Sequence, residues 1–263
     1  MDSIFSGLYV EDEALSAFAA NNARLAEPSP GGGAGREAAA LRRDLAAIRR
    51  CREALGCRFE GAENIPAACE WLLDNWYLAQ REGAAAFAAL RRASGLRRSG
   101  AEPLLFRLCR SLLSAGQGEL GAARCTAYLR GYQSVLPLRR CELLLFPAAM
   151  RAVILSAMAE LCAVLPPAGD EAAAGRAMEA LFSSLRFLAG TDETLLLRAA
   201  DLSDEILCLD PDGTYPRMDD ESRAAYLDRL AELARAQDVP EPQLARALID
   251  EAERRGGHAL RQI

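Results

Sequence analysis

From Arg36 onward, apolar residues recur every three or four positions with polar residues between them. That is the period of a helix with one buried face. Leu41, Leu45, Ile48 and Leu55 define the first such face. Ile65, Cys69, Leu72, Leu73 and Trp76 define the second, with Asp74, Gln80 and Arg81 turned to water. Leu104, Leu105, Leu108 and Leu112 predict a third helix ending near Gly116, and residues 119–132 a fourth, followed by an extended connection over 133–137. Residues 142–165 read as a long buried helix, broken near its start by Pro147 and stopped by Pro166 and Pro167. Met178, Leu181, Leu185 and Leu188 mark another. Thr191 is placed to cap the next, whose stripe is Leu195, Ala199, Leu202 and Ile206. Tyr226, Leu230 and Leu233, then Leu244, Leu248, Ile249 and Ala252, close the series. No run alternates β-branched with polar residues. The pattern therefore predicts an all-α fold, a multi-helix bundle or irregular helical array of about nine or ten helices. No residue signature recurs at a fixed period, so nothing supports a solenoid.

The N-terminal piece is weaker, with Leu8, Leu15 and Phe18 as anchors. After it comes Glu-Pro-Ser-Pro-Gly-Gly-Gly-Ala-Gly, which has the composition of a flexible linker. The expected organisation is an amphipathic arm (1–26), a linker (27–36), a helical domain (37–257) and a short tail (258–263).

Composition narrows the function more than the fold. Half of the 263 residues are apolar but only 6% are aromatic, and alanine and leucine dominate, as helices prefer. All 31 basic residues are arginine; 37 acids outnumber them, for a net charge of −6. A nucleic-acid partner is not expected of such a balance. No two of the eight cysteines are spaced Cys-x-x-Cys, and zinc ligation is not expected. Residues 1–10 lack a basic start and a long apolar core, so free thiols in a reducing cytoplasm are the expectation. Residues 143–165 are long and apolar enough for a membrane span, but Arg151 sits near their centre. A central arginine costs ~2.5–3.5 kcal/mol on insertion, so a buried core helix is the preferred reading and no direct span is expected.

Chemistry is hard to assemble from these residues. The single histidine, His258, stands five residues from Ile263, too isolated to activate a nucleophile. No phosphate loop is possible without lysine. Asp219-Asp220 begins like an Asp-Asp-x-x-Asp metal motif, yet the fifth position is Arg223. No catalytic, cofactor-binding or metal-ligating residue is predicted. The most specific stretch, Asp210 to Arg223, reads instead as a turn and a helix start. Asp210 and Pro211 suit a type I turn, and Gly213 the positive φ that follows. Asp219 is a natural N-cap, with Asp220 and Glu221 in the first turn and Arg223 at pairing distance from Asp219.

The same stretch carries a resemblance. Asp210-Pro211-x-Gly213-x-Tyr215-x-Arg217-Met218-Asp219-x-x-Ser222-Arg223-x-x-Tyr226 resembles a pattern of the cyclic β-1,2-glucan synthases. So do Glu70-Trp71-Leu72-Leu73-Asp74-Asn75, Ser183-Ser184-Leu185-Arg186, and Tyr132-Gln133 through Pro137-Leu138, Glu142-Leu143 and Pro147 to Met150-Arg151. The likeness spans roughly residues 65–255. It departs at Leu136, where the family has threonine, and at Cys141-Glu142-Leu143-Leu144, where it has Gly-Glu-Leu-Trp. In those large membrane glycosyltransferases such a helical region lies on the cytoplasmic side, before the membrane helices, the UDP-glucose-using transferase and a phosphorylase-like domain. None of these has a counterpart in the 263 residues. The resemblance thus implies a non-catalytic accessory module at the inner face of the membrane, partnered by other domains of the same synthase. It carries over no catalytic residue. Asp74, Tyr77, Tyr132 and Gln133 are the candidate docking residues, and a stand-alone helical adaptor for another protein is the alternative.

Overall fold

The computed structural model describes residues 4–166 and 169–254; His258 and the expected tail lie outside them. Among the described residues there are eleven α-helices: α1 (Asp12–Arg24), α2 (Gly35–Arg58), α3 (Ala67–Arg92), α4 (Leu104–Ala115), α5 (Ala122–Gln133), α6 (Arg140–Cys162), α7 (Glu171–Gly190), α8 (Glu193–Arg198), α9 (Leu202–Leu207), α10 (Asp220–Gln237) and α11 (Glu241–Arg254). Two-residue strands, β1 (Arg98–Ser99) and β2 (Glu102–Pro103), form a small antiparallel ribbon before α4. The fold is an all-α helical array.

α6 is the centre. It packs against α2, α3, α4 and α7, and is apolar on every side, through residues such as Phe146, Met150, Ile154 and Met158. A helix apolar all round must be covered on all sides. By length and composition it is the one described helix able to cross a membrane, yet most of it is buried within the fold. Arg151 meets Glu82 of α3, with Nε 2.8 Å from Oε2, donates to Leu188 O at 3.0 Å and pairs with Glu193 at 2.6 Å. Pro147 does not break the helix start: α6 begins at Arg140 and runs through it. Only the N–H that would have reached back one turn is lost.

The N-terminal piece is not a tethered arm. Leu15, Ala19 and Ala23 of α1 are buried in the main core, and α1 packs along α5. Asn22 donates to Ser111 Oγ (2.7 Å) and to Tyr128 OH (3.1 Å), while Phe18 meets the Tyr128 ring edge-on. Leu8, expected to be an anchor, is 90% exposed. The linker is strapped down as well: Ser29 bridges to Arg98, and Leu96 N–H donates to Gly32 O at 3.0 Å. Alanines carry much of the α1 contact, which is why the apolar period looked weak there. Close approach depends on Gly131 of α5, where an added Cβ would lie 2.3 Å from Ser16 O. Gly131→Ala should therefore destabilise the fold by about 1–3 kcal/mol through overpacking and open residues 25–34 to protease. Limited proteolysis beside a urea melt checks this; a cleavage pattern and midpoint like those of the wild type would refute it.

The single helix expected after Thr191 is two. Asp192 caps α8 and Asp201 caps α9, each through side-chain oxygens that accept backbone N–H groups. The break rotates the stripe: Leu195 and Ala199 are exposed, whereas Leu196, Leu197 and Ala200 are buried. Beyond it, α9, α10 and α11 enclose a second, smaller core of Leu207, Tyr215, Leu227, Leu230, Ala245 and Ile249.

Candidate functional site

The turn at 210–223 joins α9 to α10 and puts Tyr215 into that second core. Asp210 is buried, and its carboxylate accepts the N–H groups of Asp212 (3.2 Å), Thr214 (2.8 Å) and Tyr215 (3.0 Å). Gly213 N–H closes the turn on Asp210 O at 2.9 Å, and its φ of +61° is the left-handed value that favours glycine. Residues Tyr215–Arg217 form one 3-10 turn. Asp219 then caps α10, accepting from Ser222 N–H at 2.7 Å, and that bond holds its carboxyl below the usual range. Arg217 is exposed and donates to Asp212 O.

The expected Arg223–Asp219 pair does not form. Arg223 turns inward, donates to Pro216 O at 2.6 Å, lies over the Tyr215 ring and sits 3.6 Å from Asp204 Oδ1. Tyr215 OH donates to the same carboxylate at 2.7 Å, and Arg198 approaches its other oxygen at 3.5 Å. Burial, followed by the Asp204 hydrogen bond and charge, pushes the Tyr215 hydroxyl far above its usual range. Asp204 is thus the anchor of the turn. Sequence reasoning missed it, because its partners lie up to nineteen positions away and no spacing rule connects them. Asp219 and Asp220 likewise serve separate partners, Ser222 and Arg198.

Arg198, Asp204, Asp220 and Arg223 form one wall of a cleft of ≈ 310 Å³ between α6, α8, α9 and α10. Leu143, Leu144, Leu197 and Leu227 supply its apolar lining; Arg140, Arg198, Arg223, Glu193, Asp201, Asp204 and Asp220 supply its charges. Leu144 is half exposed at this site. The arginines are matched by acids, so the cleft holds no free block of positive charge. Arg140 ties the two cores together: it pairs with Asp201 and Asp228 and donates to Ala224 O, while its own N–H meets both Glu241 oxygens, at 3.0 and 2.9 Å.

Burial pushes the Glu241 carboxyl up to about 7, with Asp201 and Glu142 adding to the rise and Arg140 opposing it. A carboxyl whose folded value lies above its unfolded one favours the fold when protonated. Its contribution is complete below about 4.5, is lost as pH rises toward about 7, and is level above that. Relative to Glu241→Gln, the wild type should lose stability on the order of 3 kcal/mol between pH 4.5 and 8. Urea melts of both proteins at those two pH values measure it; parallel behaviour of the pair would contradict the assignment.

The candidate docking residues divide. Asp74 and Tyr77 lie exposed on α3, Tyr77 with 64% of its surface open. Tyr132 and Gln133 do not face a partner: both are buried, and Gln133 donates to Ala200 O at 2.8 Å, tying α5 to the α8–α9 corner. Among the described residues, no group of three or more histidine, cysteine or acidic side chains is placed to hold a metal. No family model and no curated protein matches the chain.

Proposed function

We propose that this chain is a catalytically silent helical module of a cyclic β-1,2-glucan synthase-like glycosyltransferase, docking against the domain that polymerises glucose from UDP-glucose. One observation carries the reading: two of the stretches that resemble that family meet in space, and the others hold the fold together around them. Trp71 stacks on Phe182 beside the Ser183–Arg186 run, at 6.3 Å between ring centres. Arg186 lies over Trp71 and donates to Asn75 Oδ1 at 3.1 Å. Ser184 bridges Gly118 O and Leu120 N–H. Glu142 joins α6 to Arg97, and Asp210, Tyr215 and Arg223 build the turn. Residues that hold a scaffold together are what a shared non-catalytic fold would keep. The α3 face with Asp74 and Tyr77, the cleft with Leu144, and the exposed Leu195 of α8 are the surfaces offered for docking.

The chain alone, given UDP-glucose and a divalent metal, should make no glucan; synthesis would overturn the silent assignment. A tagged transferase-bearing segment of such a synthase should retain the chain on a column, and Leu144→Asp with Leu195→Asp should abolish retention without lowering the melting temperature. Failure of the unsubstituted chain to be retained would reject the synthase reading and leave the stand-alone adaptor.

A further inference from the structure

Three cysteines converge where α2, α3 and α6 meet, away from the cleft. Cys51 lies on α2, Cys69 near the start of α3, and Cys162 is the last residue of α6. Cys51 Sγ donates to Cys162 O at 3.5 Å, which brings the two residues side by side. Cys51 is partly exposed; Cys162 and Cys69 are buried. One thiol is therefore reachable from solvent and a second waits behind it. We propose that Cys51 and Cys162 are a reversible redox pair, oxidised by a low-molecular-weight disulfide to a bond that staples α2 to the end of α6.

The chemistry balances with that oxidant. The Cys51 thiolate attacks one sulfur of the small disulfide, forms a mixed disulfide and expels one small thiolate. The Cys162 thiolate then attacks Cys51 Sγ and expels the second. Two electrons pass to the small disulfide, which leaves as two thiols once the two cysteine protons are counted. Order follows environment: contact with Cys162 lowers the Cys51 pKa, whereas the same contact and burial raise that of Cys162. Cys51 is the attacking thiol and Cys162 the resolving one. The sulfurs must close to a bond of about 2.0 Å.

The bond would join residues 111 positions apart, a long loop for which cross-linking restricts the unfolded chain strongly. Treatment of the intact chain with oxidised glutathione should yield a Cys51–Cys162 linked peptide on non-reducing digestion. It should also raise the melting temperature by several degrees, reversed by dithiothreitol. Cys162→Ser should stop at a glutathione adduct on Cys51, and Cys51→Ser should leave Cys162 reduced. Cys57, which is exposed, reports that the oxidant reached the protein. With Cys57 modified, a Cys51 that stays reduced, keeps its glutathione or bonds Cys69 would each overturn the pairing.

Discussion

Glu142→Ala should cost about 3–5 kcal/mol, the range found when one partner of a buried ion pair is removed. Glu142 has no exposed surface. Its carboxylate accepts the backbone N–H groups of Arg97 (2.9 Å) and Arg139 (3.0 Å) and is gripped by the Arg97 guanidinium through Nε (3.1 Å) and NH2 (2.5 Å). Truncation strands Arg97, whose remaining side-chain bond is to Pro137 O. It also frees two backbone donors, one of them at the start of α6, where an acid is favoured by the helix dipole. Glu142→Gln keeps an acceptor but no charge and should lie between the two. Since domains of this size are stable by roughly 5–15 kcal/mol, the alanine variant should sit near its unfolding midpoint in mild urea. A loss under about 1 kcal/mol, the value of an exposed pair, would mean that the carboxylate is solvated.

Arg151→Ala should be nearly as damaging, about 3 kcal/mol or more. Glu82 would keep only Arg81, whose side chain is 61% exposed, and Leu188 O and Glu193 would lose their donor. The informative comparison is the double variant Arg151→Met with Glu82→Leu. Replacing both members of a buried pair by apolar residues is often neutral or stabilising. The double variant should therefore be more stable than Arg151→Ala despite carrying one more substitution. A double-mutant cycle in denaturant measures this; additive losses would show that the two side chains do not depend on each other.

The helical faces were legible because a buried stripe is a local property: Leu104, Leu105, Leu108 and Leu112 announce α4, and all four are buried. The same holds for Met178, Leu181, Leu185 and Leu188 in α7. What failed was whatever depends on distant partners. The docking of α1 rests on alanines, Asn22 and a glycine more than a hundred residues away, none of which strengthens a hydrophobic period. Leu195 and Ala199 misled because Asp201 could not be recognised as a second cap breaking the stripe. Asp219 was readable as a cap, since a cap and its partner lie three residues apart. Arg223 was misassigned because the acid at helical pairing distance, Asp219, is not the acid it meets in space. The cleft was invisible for the same reason: its walls are drawn from α6, α8, α9 and α10.

Asp210 bears on how this region breathes. Thr214 and Tyr215 stand outside any α-helix, in a segment that looks from its fold like an ordinary connection. Their amide protons nevertheless point at a buried carboxylate. In deuterated water they should exchange on the timescale of the second core's opening rather than that of a loop, and Asp210→Ala should release both at once. A connection that exchanges like a helix would report α9, α10 and α11 opening and closing together, with the carboxylate as their clasp.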